Sequence, residues 1–228
     1  MNANLGPADD RELDLWYSRA MNDARVPKQD SARERLLELA ESSVLQKGFA
    51  ATSIEELIAG AGITKSGFFY HFKNKNELAQ AMFERYLERD AQILNDIFGR
   101  ADELNDDPLH GFLVGLKMFA EMMAQLPEVH PGCLTAAFCY QEQLFSSEIR
   151  DLNRESVLRW RRRFRSRFDA IAARYPPRLD VDLDALADML TVIVDGAITL
   201  SKTLKSRPEI PKQVLLYRDF VRAIFQPV

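Results

Sequence analysis

Three helix-start signals crowd into residues 31–77, and they constrain this chain more than any other feature. Ser31 with Glu34, Ser53 with Glu56, and Asn74 with Glu77 each form a capping box. In such a box a short polar side chain accepts from the free N–H groups of the first turn, and an acid three residues on reaches back. Closely spaced starts leave room for short helices and for little else. The first is predicted to run from Ser31 to Lys47 and to stop at Gly48. The second carries Ile54, Leu57, Ile58 and Ala61 at helical spacing and ends at Gly62, since glycine accepts the left-handed backbone that closes a helix. Thr64 then caps a helix of about two turns before the Asn74 box opens another. A capped helix, a glycine turn and a second short helix make a helix-turn-helix, whose second helix enters a DNA major groove.

The second short helix has the chemistry for that task. No acid occurs from Ile63 to Asn76, whereas Lys65, Lys73 and Lys75 are cationic. Residues 31–80 as a whole hold six Lys or Arg against six Asp or Glu, so any attraction to DNA must come from one face and not from the charge of the domain. Lys65, Ser66 and Gly67 occupy the first turn. Lys65 can donate to a guanine edge or meet a phosphate. A glycine in a helix interior costs about 1 kcal/mol relative to alanine, which makes sense where backbone must approach a partner closely, or where the position is near enough to the helix N-terminus to tolerate it. Phe68 and Phe72 are assigned to holding the helix on its own core.

Gly48-Phe49, Thr52-Ser53-Ile54, Ile58-Ala59-Gly60-Ala61-Gly62-Ile63 and the run from Ser66 to Leu78 together resemble the tetracycline-repressor family of bacterial regulators. The resemblance spans Ser31 to Leu78. It implies an all-α fold: a three-helix DNA-binding domain at 31–78 and a helical ligand-binding and dimerisation domain at 79–228, behind an arm at 1–30. It also implies that Thr52, Ser53, Tyr70, His71 and Lys75 contact the DNA backbone. With Thr64, Lys65, Ser66, Gly67 and Phe69 they complete the candidate DNA-facing set. Phe69 is a departure, because the family usually has Tyr there and its hydroxyl commonly reaches a phosphate.

Beyond the head, periodicity predicts helices throughout. Helix four begins at Lys75 and runs to about Phe98, a natural lever between the two domains. Pro108 opens a fifth, helix resumes from Leu134 to Phe145, and a long helix from Ser146 or Ser147 ends before Pro176-Pro177. Two more follow near Asp182–Leu204 and Pro211–Phe225. In the arm, Leu13, Trp16, Tyr17, Ala20 and Met21 fall at amphipathic spacing. No run of residues approaches the ~20 apolar positions of a membrane span, and residues 1–30 lack a signal peptide's apolar core. Cys133 and Cys139 are not a CxxC pair, and the three histidines are scattered. Both cysteines are therefore expected to be buried thiols in a cytoplasmic protein, with no metal, cofactor or catalytic group.

Three further features admit a functional and an ordinary reading. The run Arg159, Arg161, Arg162, Arg163, Arg165 and Arg167 suggests a nucleic-acid patch. An apolar stripe through it (Trp160, Phe164, Phe168, Ile171) favours a core helix with a solvated face. Asp182–Leu204 is apolar around more than one face and so needs cover on two sides, with Leu190, Val194, Ala197, Ile198 and the later Val221 as candidate dimer contacts. Asp195 within it is an interface acid or a pocket group. The middle helices are rich in aromatic and methionine side chains, and Phe112, Met118, Met122, Phe138 and Cys139 are the candidate ligand-binding set. The expected function is a ligand-responsive repressor that binds a palindromic double-stranded DNA operator as a homodimer and is released by a small, largely apolar inducer. An enzyme using the aromatic cavity and a helical protein-binding adaptor are the alternatives.

Overall fold

The computed structural model describes residues 32–225, and these form nine α-helices and no strand. They are α1 Ala32–Lys47, α2 Ile54–Ala61, α3 Lys65–His71, α4 Lys75–Leu104, α5 Pro108–Ala124, α6 Leu134–Cys139, α7 Ser147–Arg174, α8 Leu183–Leu204 and α9 Glu209–Phe225. The arm and its expected helix lie outside the described residues, as does Ser31. No helix among the described residues is long and apolar enough to cross a membrane.

The caps do what their residue types require. The Glu56 N–H donates to Ser53 Oγ at 3.1 Å, that of Gly67 to Thr64 Oγ1 at 3.1 Å, and that of Glu77 to Asn74 Oδ1 at 2.9 Å. Gly62 closes α2 in the left-handed region at φ 65°. Two boundaries differ from expectation. Helix α4 continues past Phe98 to Leu104, because Ala101 keeps the buried stripe going for another turn. The expected helix from Leu134 to Phe145 breaks after Cys139 into a short 3₁₀ turn at Glu142–Leu144. The break lets Phe138 and Phe145 stack face to face, with centroids 4.2 Å apart. Cys139, expected to be buried, is exposed where α6 ends.

Helices α1 to α3 close over Leu36, Leu37, Ala40, Leu57, Phe68 and Phe72, and the same core runs on into Phe83 of α4 and Phe138, Phe145 and Ile149 of the body. A second core stacks Phe98, Phe112, Phe164 and Phe168, and Phe225 packs on Phe168. Helix α7 carries the arginine run. Its Phe164, Phe168 and Ile171 are fully buried, while Arg161 pairs with Asp188, Arg165 with Asp169 and Asp184, and Arg167 with Asp102. The guanidinium of Arg167 also lies over the Phe98 ring. These arginines cover apolar surface and tie α7 to its neighbours.

Candidate functional site

Helix α3 presents its first turn and one long edge to solvent. Phe68 faces in and is fully buried, whereas Tyr70 is 85% exposed and Phe69 45% exposed. Thr64, Lys65 and Ser66 are exposed beside them. The nearest acid to the Lys65 ammonium is Glu55 at 3.8 Å; both side chains are largely in water, so the pair holds Lys65 weakly. A Cβ added at Gly67 would come no closer to its own chain than 3.4 Å, to Thr64 Oγ1. The fold therefore does not require glycine at this position.

Other candidates turn toward the protein. Thr52 is 2% exposed; its hydroxyl donates to Gly48 O at 3.0 Å and meets Ser43 Oγ at 2.9 Å. It fixes the bend before α2 and has no free face for DNA. The Lys75 ammonium donates to Phe49 O and sits 4.1 Å from the centroid of the Phe49 ring, and burial lowers its pKa. To meet a phosphate it would have to leave those partners. Ser53 is exposed but caps α2, and His71 is half-buried with its ring edge-on to Tyr70.

A cavity of about 200 Å³ opens where α1, α4, α5, α7 and α8 converge on the loop before α6. That is far above the ~10–15 Å³ a single water needs. Its apolar wall is Leu45, Ile93, Phe119, Met122, Met123, Val194 and Ile198; its polar wall includes Tyr86, Asp90, His130, Cys133, Trp160 and Asp195. The Trp160 Nε1–H donates to Asp90 Oδ2 at 2.7 Å. Burial pushes the carboxyls of Asp90 and Asp195 above their ordinary range. Burial and the neighbouring Asp195 push the Cys133 thiol up to about 11, so it is a thiol and not a thiolate nucleophile. His130 is pushed down to about 4, first by burial and then by Lys202, and its Nδ1 accepts from the Gly132 N–H at 3.2 Å.

Of the five residues expected to line a ligand site, the structure places only Met122 on this cavity. Phe112 is sealed in the second core between Phe98, Phe164 and Phe168. Phe138, stacked on Phe83 and Phe145 in the head's core, and Cys139 both border a separate cavity of about 390 Å³ between α6 and α7. Met118 is half-buried on α5 away from the cavity. The sequence signal for this cavity's wall was polar: two acids, Asp90 and Asp195, set among apolar helical positions.

The expected dimer contacts also turn inward. Leu190, Val194, Ala197, Ile198 and Val221 are all buried within the chain, because they form the side of α8 and α9 that packs on the body. The opposite sides carry the exposed apolar residues: Val192 at 68%, Leu200 and Leu204 on α8, and Leu216 at 64% with Phe220 on α9. Gly196 lies on the same face of α8, and beyond its own helical turn no atom of the described residues comes within 4 Å of where its Cβ would stand.

Residues 36–82, the span of the head with its exposed α3, match the family described as bacterial regulatory proteins, tetR family. The similarity does not stop at the head. The transcriptional regulator AcuR of Cereibacter sphaeroides is 25% identical over 187 residues, 81% of this chain and 82% of that one. The chain belongs to the TetR family. The probable HTH-type transcriptional regulator ArpR of Pseudomonas putida is 28% identical over 176 residues, 73% of this chain and 78% of its own length. A crystal structure of regulatory protein TetR from Rhodobacter sphaeroides superposes with a TM-score of 0.67 at 25% identity, covering 85% of this chain and 100% of that one. This TetR-family chain is thus a DNA-binding transcriptional regulator, with its helix-turn-helix at α2 and α3.

Proposed function

We propose that this regulator represses from a palindromic operator as a homodimer and is released when a small molecule enters the cavity below its head. Three domains carry this out: the arm at 1–30, the DNA-binding head at 31–78 and the ligand-binding and dimerisation body at 79–228. Two α3 helices on a two-fold dimer read two half-sites. Lys65 and Ser66 meet base edges or phosphates, Tyr70 and Thr64 meet the backbone, and Gly67 lets α3 sit close. The exposed apolar faces of α8 and α9 supply the dimer contact, in place of the inward-turned set.

The observation that carries the release mechanism is the position of α1 on the cavity wall. Glu41 and Leu45 belong to the head, and both line the cavity. Helix α1 is also held from several sides. Arg85 reaches Glu34 and Glu38, Arg89 pairs with Glu41, and Lys202 of α8 donates to Leu45 O at 3.3 Å and Pro131 O at 2.6 Å. Just past α1, the Ala50 N–H donates to Gln141 Oε1 at 3.2 Å, and the Phe49 ring packs 4.6 Å from that of Phe145. A ligand can therefore shift the head through α1 directly, as well as through the lever α4. It does so only to the extent that it binds the released state more tightly; a hundredfold preference is worth about 2.7 kcal/mol.

Met122→Trp tests this reading. Filling the cavity is expected to abolish release by any compound that frees the wild type from its operator, with the operator affinity of the free protein nearly intact. A variant that still responds fully places the effector site elsewhere.

A further inference from the structure

The cavity's charge points to the class of molecule it takes. Asp90 and Asp195 stand on its wall, from α4 and α8. Asp90 is partnered by the neutral indole of Trp160, and Asp195 lies beside the neutral Cys133 thiol. Among the described residues, neither carboxylate has a Lys, Arg or His nitrogen within 4.0 Å. The cations close by hold other partners, Arg89 with Glu41, Arg163 with the neutral amide of Asn95, and Lys202 with two backbone carbonyls; Arg163 and Arg89 offset the charge of Asp90 only in part, and no cation among the described residues does so for Asp195. Two partly desolvated carboxyls thus stand on a wall with an excess of acid, Glu41, Asp90 and Asp195 against Arg89. Such groups are costly unless something pairs with them.

The rest of the wall suits the same partner. Tyr86 and Trp160 offer ring faces, which attract cations through their quadrupoles. Met122 and Met123 are soft and adaptable, able to fit an irregular apolar body. An anion would meet two like charges, and a neutral ligand would leave both carboxyls as they are. We propose that the cavity takes a small organic cation, a protonated amine or quaternary ammonium on an apolar body. This rests on the reading of the cavity as the effector site, and it adds the ligand's charge. The burial that raises both carboxyls is consistent with a site waiting for positive charge.

The test is calorimetric titration of the full chain near neutral pH with three probes of one shape: phenylpropylamine, phenylpropanol and phenylpropanoate. The amine is expected to bind at least about tenfold tighter than the alcohol, with the carboxylate weakest. Met122→Trp should remove the amine's heat, which locates the site. Replacing both acids (Asp90→Asn with Asp195→Asn) should erase the preference. Asparagine's carbonyl still accepts from Trp160, and a melting curve checks that the variant is folded. Equal or tighter binding of the alcohol or carboxylate overturns the assignment of charge while leaving a binding cavity in place. A preference for the amine that survives the double substitution overturns the role of these acids. Binding of none of the three at about millimolar concentration overturns the proposal, and the effector reading keeps its separate test in operator release.

Discussion

Gly67→Ala separates what α3 needs in order to fold from what it needs in order to bind. The added methyl would meet Thr64 Oγ1 at 3.4 Å and Ile63 Cβ at 3.6 Å, which is ordinary packing. The Gly67 N–H to Thr64 Oγ1 bond, at 3.1 Å, does not involve the new atom. Folding should therefore gain from alanine's lower backbone entropy in the unfolded chain, by about 0.4–1 kcal/mol. For a chain of this size that raises Tm by roughly 1–4 °C. On DNA the same methyl enters the gap between α3 and the groove. Overpacking a tight contact costs about 1–3 kcal/mol, and a dimer meets it twice. Operator affinity should fall by at least about 30-fold. Melting followed by circular dichroism and fluorescence anisotropy on an operator duplex read the two effects. Affinity within about threefold of wild type, at an unchanged or raised Tm, would refute the close approach of α3.

Lys65→Ala should cost about 1–3 kcal/mol on the operator if the lysine reads a base; a loss shared by random DNA, with a salt slope shallower by about one, marks a phosphate contact instead. Leu200→Arg should give folded monomers by light scattering, since Leu200 lies on the exposed face of α8, whereas Val194→Arg should unfold the chain because Val194 is buried against its own body. His130, pushed from 6.5 down to about 4, gives stability a pH dependence. The unfolded chain takes up that proton near pH 6.5 while the folded one resists it to about pH 4, so stability falls as pH drops through this window, by roughly 3 kcal/mol. The raised carboxyls of Asp90 and Asp195 act in the opposite direction. Subtracting the pH profile of His130→Gln, measured by urea unfolding, isolates the histidine, and identical slopes in both proteins would remove it from the account.

The all-helical fold was legible because its signals are local. Ser53, Thr64 and Asn74 cap helices through bonds to the third residue on, and Gly62 closes a helix by its own backbone freedom. The cavity was not, because a methionine or aromatic on a helix looks alike whether a neighbouring ring or empty space faces it. Phe112 met Phe98, Phe164 and Phe168; Met122 met the cavity. The inward turn of the expected dimer contacts was hidden for a related reason. A helix apolar all round shows that two faces need cover, yet Val194 and Val192 are alike in sequence, and only packing against the body decides which turns inward. Asp195 was the better guide, since an acid among apolar positions is costly unless its surroundings answer it. Thr52 and Lys75 show a limit of reading function residue by residue. Their partners, Gly48, Ser43 and Phe49, belong to the same chain.

The central claim is that two copies of this chain hold a specific duplex through α3. A titration of the purified protein against the DNA upstream of its own coding sequence tests it most directly, with a scrambled duplex of equal length and charge as the control. The account predicts saturation at two chains per duplex (or a multiple of two), with affinity at least about a thousandfold above the scrambled DNA. It also predicts weaker operator binding in both Lys65→Ala and Gly67→Ala. Equal affinity for both duplexes, or saturation at a single chain, would contradict it.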